Sequence, residues 1–134
     1  MTDLVVTIEV RGVREAASRL KLDPVGIVLP ALHRGAFRIE RDMKLYPPPP
    51  ADSTYVRTFV LRKQWTTAPI AGSNKSYAGY KVGTITPYAP WVRSHIFQAA
   101  VHRGRWPTDK QVVAANYPTL VRDVNLTVRR ALQR

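Results

Sequence analysis

The sequence contains no cysteine and no long apolar run. Zero cysteines in 134 residues exclude a disulfide scaffold, a thiol nucleophile and zinc or iron–sulfur sites built on thiolates, and they fit a reducing compartment. The unbroken apolar runs are short, such as Ile27-Val28-Leu29, and are far below the roughly 20 residues of a membrane span. Met1-Thr2-Asp3-Leu4 has neither the basic nor the apolar region of a secretory signal. We therefore expect neither a membrane span nor a signal peptide.

Acidic residues are scarce as well, with 9 Asp and Glu against 21 Lys and Arg, a net charge of +12. Residues 1–50 hold 8 bases and 6 acids, whereas residues 51–134 hold 13 bases and 3 acids. Such a charge indicates contact with an acidic partner: nucleic acid, an anionic membrane or an acidic protein surface. The simpler alternative is a solvated surface that happens to be basic.

Catalytic patterns are missing too. Glu40 and Asp42 are two residues apart on a predicted helix and do not face each other. His33, His95 and His102 have no metal-binding spacing, and no glycine-rich phosphate loop is present. The sequence thus predicts no enzyme, no cofactor and no metal site. A small basic RNase of the toxin type stays as an alternative without an identifiable acid–base pair.

The first half of the chain predicts a strand followed by helices. Leu4–Val10 is β-branched and apolar, and a short amphipathic helix is predicted over Val13–Lys21. Asp23 is a plausible N-cap for a second helix beginning at Pro24, although Pro30 would either kink that helix or begin it. Its apolar residues recur every three or four positions, at Val25, Val28, Leu32, Ala36, Ile39 and Met43.

The second half begins with a proline run that cannot be a helix or a central strand. Tyr46–Thr54 is predicted to form an extended polyproline II spacer or a docking segment. Strands are predicted over Tyr55–Thr67 and Tyr77–Ile85, with a further short strand over Pro87–Val92. Residues 93–115 are expected to be irregular. The last helix is expected to be capped by Asn116 or Thr119, with an apolar stripe at Tyr117, Leu120, Val121, Val124, Val128 and Leu132.

These elements predict an α+β single domain over residues 1–134. A small, mainly antiparallel sheet would pack against a long helix and the C-terminal helix. The aromatic residues Trp65, Tyr80 and Trp91 are expected in the core of that sheet, with base stacking as the alternative.

Two segments and one helix end are candidate interfaces. Arg103–Pro107 is expected to form an exposed turn with Trp106 at its tip, and large aromatic anchors are enriched at interfaces. The proline run has low ordering entropy and suits docking against a neighbour. The candidate interface residues are Pro47, Pro48, Pro49, Pro50, Arg103, Arg105, Trp106, Arg129 and Arg130.

Several segments occur in a characteristic order over about residues 4–134. They are residues 31–44, Ser53-Thr54-Tyr55-Val56-Arg57, Leu61-Arg62-Lys63-Gln64-Trp65, Tyr80-Lys81-Val82-Gly83, Tyr88-Ala89-Pro90-Trp91-Val92 and the C-terminal helix. In this order they resemble a known family, the small tail-completion or neck proteins of long-tailed, siphovirus-like bacteriophages. The family's loop glycine is absent after Thr54, and Trp91-Val92-Arg93-Ser94 stands where the family often has Glu-x-Gly-Thr.

The resemblance implies a virion structural protein without catalytic residues or cofactors, assembled in the host cytoplasm. It implies a homohexameric ring that joins the tail tube protein to the head–tail connector, or adaptor, protein around the DNA channel. Six copies would carry about +72, so Arg103, Arg105, Arg129 and Arg130 are expected to pair with acidic neighbours, with transient DNA contact and no membrane contact. The alternative function is a basic nucleic-acid-binding module, which the charge and the interleaved aromatics favour.

Overall fold

The computed structural model describes residues 4–11, 24–48, 60–70 and 77–133. These residues form an α+β unit with one hydrophobic core, as predicted. The predicted helix Val13–Lys21, the cap Asp23 and residues 49–54 of the proline run lie outside the described residues. The elements are β1 (Leu4–Arg11), α1 (Pro24–Met43), α2 (Val60–Lys63), β2 (Trp65–Pro69), β3 (Tyr77–Thr84), α3 (Ala89–Arg93), a 3-10 turn (Ala100–His102) and α4 (Asp109–Leu132).

The three strands form one antiparallel sheet in the order β1-β3-β2. Leu4 pairs with Thr84, which in turn pairs with Trp65, so these three side chains share a face. Alternation along β1 buries Leu4, Val6 and Ile8 and exposes the residues between them. The strands predicted at Leu4–Val10 and Tyr77–Ile85 are thereby confirmed.

Helix α1 covers the buried face of the sheet. It runs without interruption from Pro24 through Pro30 to Met43, so the helix does not begin at Pro30. The apolar stripe predicted for it is the stripe that is buried, with Val28, Leu32, Ala36, Ile39 and Met43 all in the core.

Helix α4 packs on α1 through a close approach and an ion pair. A Cβ at Gly35 would lie 2.5 Å from Leu120 Cδ1, so the absence of a side chain lets the two helices meet there. Arg34 donates two hydrogen bonds to the Asp123 carboxylate, at 2.8 and 2.7 Å. This pairing lowers the pKa of Asp123 below its ordinary value.

Part of the strand predicted over Tyr55–Thr67 is wrong, because Val60–Lys63 is a helical turn and β2 covers Trp65–Pro69. Residues 55–59 lie outside the described residues. Leu61 and Trp65 are both buried and are four residues apart, a spacing that suits one face of a strand or of a helix.

Two other sequence predictions are corrected at the C-terminal side. Pro87–Val92 contains no strand, because Ala89–Arg93 is helical with a proline in its first turn. The last helix begins at Asp109 instead of near Asn116 or Thr119. Its N-cap is Thr108, whose hydroxyl accepts from the Gln111 amide while the Gln111 side chain accepts from the Thr108 amide.

The observed cap can be tested against the predicted one. We expect Thr108→Ala to lower the free energy of unfolding by about 1 kcal/mol, because it leaves helix donors unsatisfied. Thr119→Ala is the matched control, since Thr119 is exposed within α4 and should change stability by less than about 0.5 kcal/mol. Urea unfolding followed by circular dichroism measures both, and a larger loss at Thr119 would contradict the observed helix start.

The Arg34–Asp123 pair predicts that the free energy of unfolding depends on pH. Because the folded-state pKa of Asp123 is lowered, its stabilisation is present above the ordinary value of 3.8 and is lost as pH falls through the lower folded value. We expect Asp123→Asn to lose at most about 1 kcal/mol at pH 7, and the gap from wild type to narrow towards pH 3. Urea midpoints at both pH values measure this, and an unchanged gap would contradict it.

Candidate assembly surface

A buried arginine joins the end of α1 to the turn that precedes α4. The side chain of Arg93, the last residue of α3, is fully buried. Its guanidinium donates to the backbone carbonyls of Met43 at 2.9 Å and Pro107 at 2.9 Å, and also to that of Leu45. Met43 is the last residue of α1, where carbonyls lack helical partners and a cation is favourable. Arg93 therefore fixes three chain segments relative to one another.

Aromatic rings pack on this arginine. The Arg93 guanidinium lies over the Trp106 ring at 5.1 Å from its centroid, and Tyr46 meets the same ring edge-on at 4.9 Å. Trp106 is thus half-buried and is not the exposed tip that the sequence suggested. Burial lowers the pKa of Arg93 to about 10, which still leaves the guanidinium charged at neutral pH.

A histidine–aspartate pair ties the next segment to the start of α4. The Asp109 carboxylate lies 2.8 Å from His95 Nδ1 and accepts the backbone N–H groups of His95 at 3.0 Å and Lys110 at 2.8 Å. Asp109 is buried in the first turn of α4, where a negative charge is favourable. In the described ranges, no group of three or more metal-ligating side chains is arranged to hold an ion.

Residues 94–101, here called the apolar loop, are held by polar groups and display apolar ones. The Ser94 hydroxyl accepts from the amides of Ile96 at 3.2 Å and Phe97 at 3.3 Å. The Gln98 side chain donates to two carbonyls at 2.7 and 2.8 Å. Exposed fractions in this region are 69% for Ile96, 48% for Phe97 and 68% for Val101, with 50% for Trp91 on α3. Apolar side chains displayed on a fixed loop are typical of a binding surface.

Arg93, Trp106 and Tyr46 are here called the Arg93 cluster. A groove of about 440 Å³ lies beside this cluster, between the end of α1 and the start of α4. Asp42 stands in it, with its carboxylate accepting the Asn116 amide at 2.9 Å. Two of the candidate segments, the proline run and the 103–107 turn, meet here. The lining residues are Asp42, Leu45, Tyr46, Pro47, Arg105, Pro107, Gln111, Val112 and Ala115.

The structure divides the candidate interface residues into two groups. Pro47, Arg105 and Trp106 lie around the groove and the Arg93 cluster, with exposed Pro48 and Arg103 close to them in the chain. Pro49 and Pro50 lie outside the described residues. Arg129 and Arg130 are exposed near the other end of α4, about 30 Å along the helix from Asp109. The described members of this set therefore do not lie on one surface.

The structure also adds residues that sequence reasoning missed. Arg93 and the pair of His95 with Asp109 carry no local motif, because their partners lie on other segments. Ile96 and Phe97 did carry a signal, since two large apolar residues in a segment expected to be irregular suggest exposure. Trp65 and Tyr80 are in the core as expected, but Trp91 is half-exposed, which corrects its assignment to the core.

Comparison with known proteins gives no further assignment. No protein-family model matches the chain, and no curated protein and no solved structure is significantly similar to it. No helix in the described part of the chain has the length and apolar character required to cross a membrane.

The Arg93 cluster should be essential for stability. We expect Arg93→Met to lower the free energy of unfolding by about 3 kcal/mol, because it removes hydrogen bonds from a charged donor and leaves buried carbonyls unpaired. Arg93→Lys should recover only a part, since an ammonium does not reproduce the planar fork. Arg103→Met, on the exposed turn, is the control and should stay within about 0.5 kcal/mol. Equal midpoints for the Arg93 and Arg103 variants in urea unfolding would contradict the role assigned to Arg93.

Proposed function

We propose that this chain is a structural subunit of a bacteriophage neck or tail end. In this proposal, copies of the chain form a ring, of six by the family resemblance, that joins the tail tube to the head–tail connector around the DNA channel. The observation that carries it is the apolar loop, where Ile96, Phe97 and Val101 are exposed although their backbone is fixed by hydrogen bonds. A protein that works by assembly needs such a surface and no catalytic cluster.

The apolar loop suits a subunit contact for an energetic reason. Burying an exposed large aliphatic or aromatic side chain contributes about 1.5–3 kcal/mol. Because the loop is already ordered by Ser94, His95 and Gln98, association would lose little conformational entropy. The groove between α1 and α4 would be a second contact, through Pro47 and Arg105.

A basic nucleic-acid-binding module is the second candidate function. The observation in its favour is the number of exposed cations without an ion pair in the described part of the chain, among them Arg103, Arg122, Arg129 and Arg130. Such a module should bind duplex DNA with an affinity that falls steeply as salt rises. A neck subunit should bind duplex DNA only weakly at physiological salt, since the genome must leave through the channel.

The proposal predicts an assembly defect without a folding defect. In a phage that carries this gene, Ile96→Ser with Phe97→Ser should reduce joined particles at least about tenfold, because two exposed apolar anchors are lost. Electron microscopy would count free heads and free tails, and thermal unfolding of the purified variant should match the wild type. Trp106 is unsuitable for this test, since it packs on Arg93 and Tyr46 within the subunit.

Val5→Ser is the matched control, because Val5 is an exposed apolar residue of β1 outside the loop. It should leave the yield of joined particles unchanged. Joined particles at wild-type yield from the double variant would overturn the role of the apolar loop. If the purified domain also bound duplex DNA tightly at physiological salt, the nucleic-acid function would replace the proposal.

A further inference from the structure

The charges of α4 are sorted by sign between its two sides. Both acidic residues point inward, with Asp109 bonded to His95 and Asp123 to Arg34. The basic residues Lys110, Arg122, Arg129 and Arg130 are exposed, and none forms an ion pair with another described residue. The outer side of α4 therefore carries positive charge that nothing on the helix itself offsets.

Apolar side chains accompany this charge in a helical row. Tyr117, Val121 and Leu132 are exposed on α4, and the partly buried Val124 and Val128 lie between them in the sequence. Val124 and Val128 pack against the core, so the part of this row that is open to a partner consists of Tyr117, Val121 and Leu132, which lie within about 60° of one another around the helix. Arg122 and Arg129, seven residues apart, share one side of α4, about 80–100° around the helix from Val121 and on its exposed half.

We propose that this face of α4, comprising Tyr117, Val121, Arg122, Arg129 and Leu132, docks an acidic amphipathic helix of a partner protein. The partner helix would lie between the two rows, with its apolar seam against Tyr117, Val121 and Leu132 and with carboxylates on the side that faces Arg122 and Arg129. Arginine suits that place because its guanidinium binds carboxylates bidentately while its stem covers apolar surface. The inference rests on α4 and not on the neck function, so its failure would leave that proposal unaffected.

Other occupants fit this face less well. A second copy of the same face would bring Arg122 and Arg129 against identical arginines, which is repulsive. Duplex DNA would satisfy the arginines through phosphates but would leave Val121 and Leu132 against a highly charged, hydrated backbone. A partner with acidic and apolar residues at helical spacing is complementary to both rows.

The test uses the whole protein and a designed acidic peptide. The peptide has about three heptads, with Leu at the a and d positions and Glu at the e and g positions, and a fluorescent label for anisotropy. We expect saturable binding at physiological salt, and no binding of the matched peptide with Lys in place of Glu. Arg122→Glu with Arg129→Glu should weaken binding of the acidic peptide at least about tenfold, since two attractive pairs become repulsive.

Two further variants separate this face from net charge and from nucleic-acid binding. Arg62→Glu with Lys63→Glu makes the same change in net charge at exposed residues of α2 and should leave peptide affinity unchanged. Val121→Ser with Leu132→Ser should lower the affinity for the acidic peptide severalfold. It should leave any affinity for a duplex of about 20 base pairs unchanged.

Three results would overturn the inference. One is an absence of peptide binding by the wild-type protein. Another is an equal loss of affinity in the α2 control, which would assign binding to net charge. The third is tighter binding of the duplex than of the peptide, together with no effect of Val121→Ser and Leu132→Ser on peptide affinity. That result would assign the face to nucleic acid.

Discussion

The arrangement of the candidate assembly surface depends on the buried guanidinium of Arg93. Among the described residues, no carboxylate lies within ion-pair distance of it. Taking Arg93 out of water is unfavourable, and the surroundings offset it with three backbone carbonyls and the face of Trp106. The carbonyls belong to the end of α1, the residues after it and the turn before α4. These are places where secondary structure leaves oxygens unpaired, so the single side chain satisfies groups that no strand or helix can.

The position of the apolar loop follows from that junction. Once Arg93 has set the 103–107 turn, Trp106 presents a carbonyl to Gln98, and the start of α4 presents Asp109 to His95. The loop is thus held by hydrogen bonds of the Asp109, Ser94 and Gln98 side chains. Ile96, Phe97 and Val101 are exposed on this loop, as the proposed assembly contact requires.

The parts of the fold that follow a period were predictable from the sequence. The stripe from Val28 to Met43 and the alternation along β1 are local patterns, and each of them is set by burial against one neighbour. A capping-box pattern is present in the sequence at Thr108 and Gln111, but the helix start was expected later, at Asn116 or Thr119. The Leu61–Trp65 spacing suited two structures at once.

The site was less predictable because its bonds cross long distances in sequence. Arg93 reaches back 50 residues to Met43 and forward 14 to Pro107, and no spacing rule connects an arginine with a carbonyl. Composition suggested that Trp106 and Arg105 belong to one exposed turn. The fold instead gives Trp106 to the core side of the junction and leaves Arg105 on the groove.

The excess of basic residues acts more strongly at the surface than the net charge of +12 suggests. Among the five described acids, Glu9 is exposed on β1. Glu40 lies near Lys44, Asp42 accepts from Asn116, Asp109 pairs with His95 and Asp123 pairs with Arg34. These carboxylates serve helix packing, capping and loop anchoring, so they are partly buried and weakly available to a partner. Many of the arginines extend into solvent, where screening acts over about 8 Å at physiological ionic strength. Because these four carboxylates are used within the fold, few acids offset the arginines on the described surface, which supports the proposal of an acidic partner. In the proposed ring, copies of the chain would repel one another through these arginines unless acidic neighbours lay between them.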